Sequence, residues 1–448
     1  MIKIRKGLDL PIGGSPEQVI HEGPEIKTVA VIGTDFIGMR PSMTVKVGDR
    51  VKLGQTLFVG KKIKGVKYTA PGAGEVIAIN RGERRSFLSV VIALDGTDDE
   101  NYEQFPAYTE KELESLEREK VVSNLIDSGL WTAFRTRPYN KVPEIASAPN
   151  SIFVTAMDSN PLAADPDIII KEEEQNFTAG LKCLTRLTEG KVFVCQKPGS
   201  ALPRVDGVSY KEFDGPHPAG LAGTHIHFLD PVSEKKTVWA INYQDVIAFG
   251  KMFLNGKLMP ERIIAICGPG AKNPRLIRSR RGASIQDLTA GELLPGEQRI
   301  ISGSVLNGTE ASSPIDFLGR YHLQVTILPE KREREFIASL TGGEDRFSIT
   351  RAFLSALTGG ARQRMNTSQY GSKGNILSIG VYDRVMPLDI MPEFLLRSLA
   401  AGDSDEAQAL GCLELVEEDL ALCTYVCPGK NDFGVMLRDV LTTIEKEG

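Results

Sequence analysis

Between residues 128 and 141 the chain runs Ser-Gly-Leu-Trp-Thr-Ala-Phe-Arg-Thr-Arg-Pro-Tyr-Asn-Lys, which sets Trp131, Phe134 and Tyr139 among Arg135, Arg137 and Lys141. That mixture suits a planar, partly polar ligand: rings stack on its faces, and a guanidinium that keeps its proton donates to its carbonyl oxygens. It also describes a packed loop with stacked arginines. Residues 33–41, with Phe36, Met39 and Arg40, repeat the mixture more weakly. Histidines gather in the run from Asp214 to Phe228, which holds His217, His225 and His227 in a Gly/Pro loop leading into a predicted strand over 224–229. On a strand His225 and His227 share one face. A metal site would need a third ligand, from His217 or Asp214. The preferred reading is loop shaping or contact with an organic ligand, with no metal.

Other patterns matter for what they lack. Cys423, Cys427 and Pro428 match the second half of a ferredoxin cluster motif, but Glu417 and Leu420 stand in the first two ligand positions. A [4Fe–4S] cluster normally takes four thiolates, so none is expected. Residues 54–62 resemble a phosphate-binding Walker loop with the wrong spacing and no Ser/Thr after the lysine. Gly268-Pro-Gly270 follows a strand but lacks a third glycine, so no bound nucleotide or flavin is expected.

The elements that must carry these residues follow from length and pattern. A chain of 448 residues with 41% hydrophobic residues supports about three domains and excludes global disorder. A net charge of −5 implies no broad basic face, so nucleic acid is not an expected partner. No apolar run is long enough for a bilayer, no signal peptide is expected, and six cysteines in this length point to the reducing cytosol.

Residues 43–80 show short alternating strands broken by glycine turns, as in a small β-barrel or sandwich. Val47-Gly-Asp-Arg-Val-Lys-Leu-Gly-Gln55 and Ala70-Pro-Gly-Ala-Gly74 resemble the lipoyl and biotinyl carrier domains. The carrier lysine position falls on Ile63, between Lys62 and Lys64, and the Met-Lys-Met hairpin is missing, so no swinging arm is expected. Thr109 with Glu112 forms a capping box for a helix running to Gly129. Strands at 152–156, 191–195, 224–229 and 262–267 alternate with helices at 171–188 and from Asn242 to Leu254, which predicts an α/β domain with a largely parallel sheet. Strands at 299–306 and 321–328, after a short helix at 284–288, suggest a small β-grasp unit. Helices are predicted at 333–340, 349–357, 392–400, 404–412, 416–424 and 433–446.

The whole chain resembles the A subunits of the bacterial sodium-pumping NADH:quinone oxidoreductases. The resemblance is carried by residues 4–12, 128–138, 153–158 with 160–164, 213–225, 299–305, 419–423, 437–438 and the terminal 444–448. It implies an α+β multidomain chain: an N-terminal arm and lipoyl-like barrel-sandwich unit over 1–105, a Rossmann-like α/β domain over 106–268, a β-grasp, SLBB-like domain over 269–331 and a C-terminal helical domain over 332–448. The layout is similar to the C subunit of the Rnf complex and to the NADH-binding flavoprotein of complex I, whose flavin loop and four-cysteine motif are absent here.

The resemblance further implies a peripheral subunit on the cytoplasmic side of the bacterial inner membrane, among five other subunits that include integral membrane ones. It would bind ubiquinone and take part in its reduction, coupled to Na+ export, with flavins and iron–sulfur centres held by its partners. The candidate quinone residues are Phe36, Met39, Arg40, Trp131, Phe134, Arg135, Arg137, Tyr139, His217 and His225. No catalytic residue is assigned and no complete catalytic site is expected in this chain alone. The competing reading is a structural scaffold of the same complex with no quinone site.

Overall fold

The computed structural model describes residues 1–332, 363–369, 373–376 and 380–447. The predicted helices at 333–340 and 349–357 lie outside them.

Alternating apolar residues build the first unit. Thr28–Ile32, Phe87–Leu94, Gly74–Arg81 and Arg50–Val51 form one antiparallel sheet in that order, and Pro41–Met43, Thr56–Gly60 and Lys67–Thr69 form a second. Val29, Leu57, Phe58, Val76 and Ile92 fill the space between them and are fully buried. The hairpin at the carrier position is present, which corrects the expectation that it is missing. Strands Thr56–Gly60 and Lys67–Thr69 pair across a turn that exposes Lys61, Lys62 and Lys64. What is absent is the Met-Lys-Met sequence of a true carrier, since Ile63 stands at the lysine position between Lys62 and Lys64.

The second unit is a six-stranded sheet ordered Ile2–Lys3, Val208–Asp214, Lys191–Gln196, Ser151–Thr155, Val238–Asn242, Arg135–Arg137. All neighbours are parallel except the Arg135–Arg137 edge. Short apolar runs buried on both faces make such strands. Helices Glu174–Thr185 and Tyr243–Asn255 cover one face and cross closely: a Cβ on Gly180 would lie 2.0 Å from the Val246 carbonyl oxygen, and one on Gly250 1.8 Å from that of Asn176.

Two expectations fail here. Residues 224–229 belong to a helix, Ala222–Leu229, which corrects the predicted strand. Its apolar run is too short for periodicity to separate helix from strand, and packing beside Ser151–Thr155 decides it. Strand Glu261–Cys267 does not close the parallel sheet. It sits in another six-stranded sheet, ordered Thr309–Glu310, Gln298–Ser302, Gln324–Pro329, Glu261–Cys267, Arg275–Arg280, Glu17–His21. The N-terminal arm therefore contributes one edge strand to each large sheet.

Helices Pro392–Ala401, Ser404–Ala409, Ala421–Val426 and Phe433–Glu447 form a last unit with its own apolar core, including Leu395, Leu420, Phe433 and Leu437. The predicted helix 404–412 stops at Ala409, before Gly411, whose φ of 91° suits glycine. The predicted helix 416–424 divides into a 3-10 turn, Glu417–Leu420, and helix Ala421–Val426.

Candidate functional site

Read in chain order, the four central parallel strands run third, second, first, fourth across the sheet. The order reverses between Ser151–Thr155 and Val238–Asn242, and the carboxyl ends of strands at such a reversal leave a crevice. Here it has a volume of about 90 Å³. Thr155 ends the first strand and Asp158 and Asn160 follow it, Asn242 ends the other and Tyr243 begins the next helix, and Tyr321, His322 and Gln324, at the start of strand Gln324–Pro329, close it from the neighbouring sheet. Arg135, Asn307, Tyr321, His322 and Glu418 also line an adjoining cleft of about 700 Å³, which reaches Glu417, Arg438 and Asp439 of the helical unit.

Charge in the crevice is organised around Glu418. Its Oε1 accepts from Arg135 Nη2 and Arg137 Nη2, each at 3.4 Å, and its Oε2 from Asn307 Nδ2 at 3.4 Å. Burial pushes the Glu418 carboxyl up, but the two guanidinium groups outweigh it and hold it below the usual range. Its neighbour Asp419 goes the other way: burial lifts it to about 7 despite Arg137. Asp158 is lifted to about 6 by burial, although Asn160 donates two hydrogen bonds to its Oδ1, at 2.8 and 2.9 Å. Burial thus lifts both carboxyls toward neutrality, and of the two only Asp158 lines the crevice. His322, whose Nδ1 lies 2.9 Å from Ser302 Oγ, is driven down to about 4 by burial and by Arg135, and stays neutral. The Arg135 guanidinium stacks 5.0 Å over the Tyr321 ring, whose hydroxyl donates to the Thr132 carbonyl at 2.9 Å. The crevice thus offers cationic and amide donors, an aromatic wall and one carboxyl, Asp158, raised toward neutrality.

Of the sequence candidates, only Arg135 lines this crevice. Phe36 comes near, with its ring 6.2 Å from Tyr321. Met39 and Arg40 line a separate cavity of about 30 Å³ beside Ile63 and Lys141. Trp131 and Phe134 are fully buried and pack with Trp239 and Phe249, and Trp131 Nε1 donates to the Pro143 carbonyl at 2.9 Å. Arg137 is 0% exposed beneath Glu418, and its Nη1 donates to Asn140 Oδ1 at 2.9 Å. Tyr139 packs on the helical unit, where its carbonyl accepts from Arg438.

The histidines spread apart. His217 Nδ1 lies 3.0 Å from Ser159 Oγ and braces the loop after Asp158. His225 is buried against Phe213 with Nε2 2.9 Å from the Ala219 carbonyl. Burial drives both rings well below their ordinary pKa, to about 4 and about 3. His225 and His227 do not share a face, because on a helix two positions apart point to nearly opposite sides. His227 instead meets Glu414 at 2.8 Å.

Sequence reasoning missed Asp158, Asn160, Tyr243, Tyr321, His322 and Glu418 as site residues. The available signal was the polar run Met157-Asp-Ser-Asn160 directly after a buried strand, which is where an α/β sheet presents its ligands. In the vacated cluster motif, Glu417 forms a two-pronged ion pair with Arg438 at 2.6 and 2.9 Å, and Leu420 is buried. Among the described residues no group of three or more His, Cys, Asp or Glu is arranged to hold a metal, and no helix is long and apolar enough to cross a membrane.

Fold and site together define a multidomain α+β protein built on a doubly wound sheet, with a polar crevice at its switch point. Residues 2–95 match the NqrA N-terminal barrel-sandwich hybrid domain, 116–258 the NqrA second alpha/beta domain, and 263–313 the NQRA C-terminal domain. The chain is 58% identical to the A subunit of the Na(+)-translocating NADH-quinone reductase of Marinomonas sp. strain MWYL1, covering 100% of both. It is 57% identical to that of Saccharophagus degradans and 56% to that of Vibrio parahaemolyticus, again covering 100% of each. The chain belongs to the family of Na(+)-translocating NADH-quinone reductase A subunits, components of an oxidoreductase complex. A chain of an NAD+-reducing [NiFe]-hydrogenase aligns over 74% of this chain and 61% of its own length, at 12% identity and a TM-score of 0.36, too low to bear on fold or function.

Proposed function

We propose that this chain is the peripheral, cytoplasmic-side component of a Na+-translocating NADH:quinone reductase, where it binds ubiquinone and takes part in its reduction to ubiquinol coupled to Na+ export. The five other subunits of the complex, integral membrane ones among them, supply the electrons. The observation that carries the reading is the switch-point crevice continuous with the large cleft, with Arg135 and Tyr321 at their junction. A quinone carbonyl gains negative charge as electrons arrive, and a fixed guanidinium stabilises that charge without giving up its own proton. Reduction to the quinol also takes up two protons, and a carboxyl such as Asp158, poised near 6, is matched to relay them. The cleft has the volume for the isoprenoid tail.

Replacing Arg135 by Gln is expected to weaken quinone-analogue binding to the purified chain by about 1.5–3 kcal/mol, the scale of a hydrogen bond to a charged group. Asp158→Asn is expected to leave binding near the parent value and slow quinone reduction in the reassembled complex. If both folded variants bind and turn over like the parent, the crevice is not the quinone site. The scaffold reading would then stand, and it has one observation in its favour: Trp131, Phe134 and Arg137, which carry the sequence signal, are core residues.

Ubiquinone enters this reading as substrate, with no flavin, iron–sulfur cluster or nucleotide held by this chain. The purified chain is accordingly expected to be colourless. Stoichiometric flavin or iron in its absorption spectrum and elemental analysis would overturn that.

A further inference from the structure

A second cavity, which shares Asp35 with the large cleft, lies where three parts of the fold meet. Strand Thr28–Ile32 and the loop to Phe36 form one wall, the 3-10 turn Leu130–Ala133 another, and the loops at 281–282 and 318–320 the third. Its free space is about 50 Å³, room for a few atoms the size of a water oxygen. Phe36 and Tyr68 line it on the apolar side, and Arg281 and Arg320 on the polar side.

Among the described residues the two arginines find acceptors for only part of their donors. Arg320 has a side-chain exposure of 9% and spends Nη1 on Asp245, at 2.9 Å from Oδ1. Its Nε and Nη2 are buried with no hydrogen-bond partner, and the Nε of Arg281 is in the same state. Asp245 is already shared with Arg262. The one carboxyl among the cavity's lining residues, Asp35, accepts from the backbone N–H of Arg320 at 2.8 Å and, among the described residues, makes no ion pair with either guanidinium. Burial lifts Asp35 to about 7, against the pull of Arg320, so near neutrality it offsets the cations only in part. Burial and repulsion by Arg320 and Arg262 both push Arg281 well below the ordinary arginine range. Three buried guanidinium nitrogens without acceptors beside one small cavity are costly unless an acceptor enters it, since a buried charged donor left unpaired loses its hydration for nothing.

We propose that this cavity binds a small inorganic anion, a chloride or a phosphate, between the guanidinium groups of Arg281 and Arg320. Such an anion would tie the barrel-sandwich unit to the two large sheets. Tyr68 and Phe36 give it an apolar wall, and low polarity on that side strengthens its attraction to the arginines.

Crystals of the full chain soaked in bromide, and separately in arsenate as the heavy analogue of phosphate, test the site directly. The expected result is an anomalous peak within hydrogen-bonding reach of both guanidinium groups from at least one soak; which soak gives it tells halide from oxyanion. No peak in the cavity from either soak overturns the proposal. In solution, transferring the chain from gluconate to saturating chloride or phosphate is expected to raise its Tm by about 2 °C or more. Arg281→Gln is expected to lose most of that rise, and an equal rise in the variant would also overturn the site. If Arg281→Gln does not fold, the anomalous maps of the parent chain decide alone.

Discussion

Replacing Asp245 by Asn is expected to lower the folding stability of the chain by about 3–5 kcal/mol, the cost of leaving a buried charge without its partner. Asp245 is the third residue of helix Tyr243–Asn255, and its side chain is 0% exposed. It ion-pairs with Arg262 and with Arg320, and accepts from Asn242 Nδ2 at 2.7 Å. Burial alone would raise its pKa, but Arg320 and Arg262 outweigh that and hold it below the ordinary carboxylate range. Asparagine keeps the shape and one acceptor oxygen but leaves both guanidinium groups without a counter-charge.

A carboxyl depressed in the folded state contributes its full stability above its unfolded pKa, about 4, and loses it as pH falls through the folded value. The deficit of the variant is therefore expected to be complete at pH 7 and to shrink only in acid. Urea unfolding at several pH values measures it, and a midpoint within error of the parent at pH 7, at unchanged slope, would refute the account.

Trp131→Ala is expected to cost a similar 3–5 kcal/mol for a different reason: it empties a packed core. The indole meets Phe134 and Trp239 edge-on, with ring centroids 5.6 and 5.3 Å apart. Its removal also leaves the Pro143 carbonyl without its donor. This loss should be nearly independent of pH, because none of the atoms removed titrates. Folded Trp131→Ala protein is expected to bind quinone analogues like the parent, since the ring lines neither the crevice nor the cleft. The result that would return Trp131 to the ligand site is a variant of parental stability that no longer binds.

These two substitutions mark where reading along the chain succeeds and where it stops. Local rules worked where the free energy is local. Thr109 and Glu112 cap helix Glu110–Ser115 reciprocally, as their spacing predicts, and Asn242 caps Tyr243–Asn255 with its side chain on the Asp245 N–H. The alternation at 43–80 became a two-sheet barrel sandwich, and the apolar runs at 152–156 and 191–195 became adjacent parallel strands. Even here the reach was short: the single helix predicted from Thr109 to Gly129 breaks at Leu116, which takes an extended conformation before Arg118–Asp127.

By itself, then, the sequence determined the periodicities, the caps and turns, the overall α+β character, the absence of recognised nucleotide and cluster motifs, and the family. Tertiary structure alone decided which sheet took strand Glu261–Cys267 and that residues 222–229 form a helix. It also decided which members of the aromatic–cationic stretch face a cavity. Arg135 and Arg137 lie two apart on one strand, so their types and spacing are the same to any local rule. Yet one lines the cleft and the other is sealed beneath it, because Glu418, 283 residues beyond Arg135, folds over both. Periodicity reports which face of an element is apolar. What covers that face depends on distant residues whose burial and charge are set only when the units pack together.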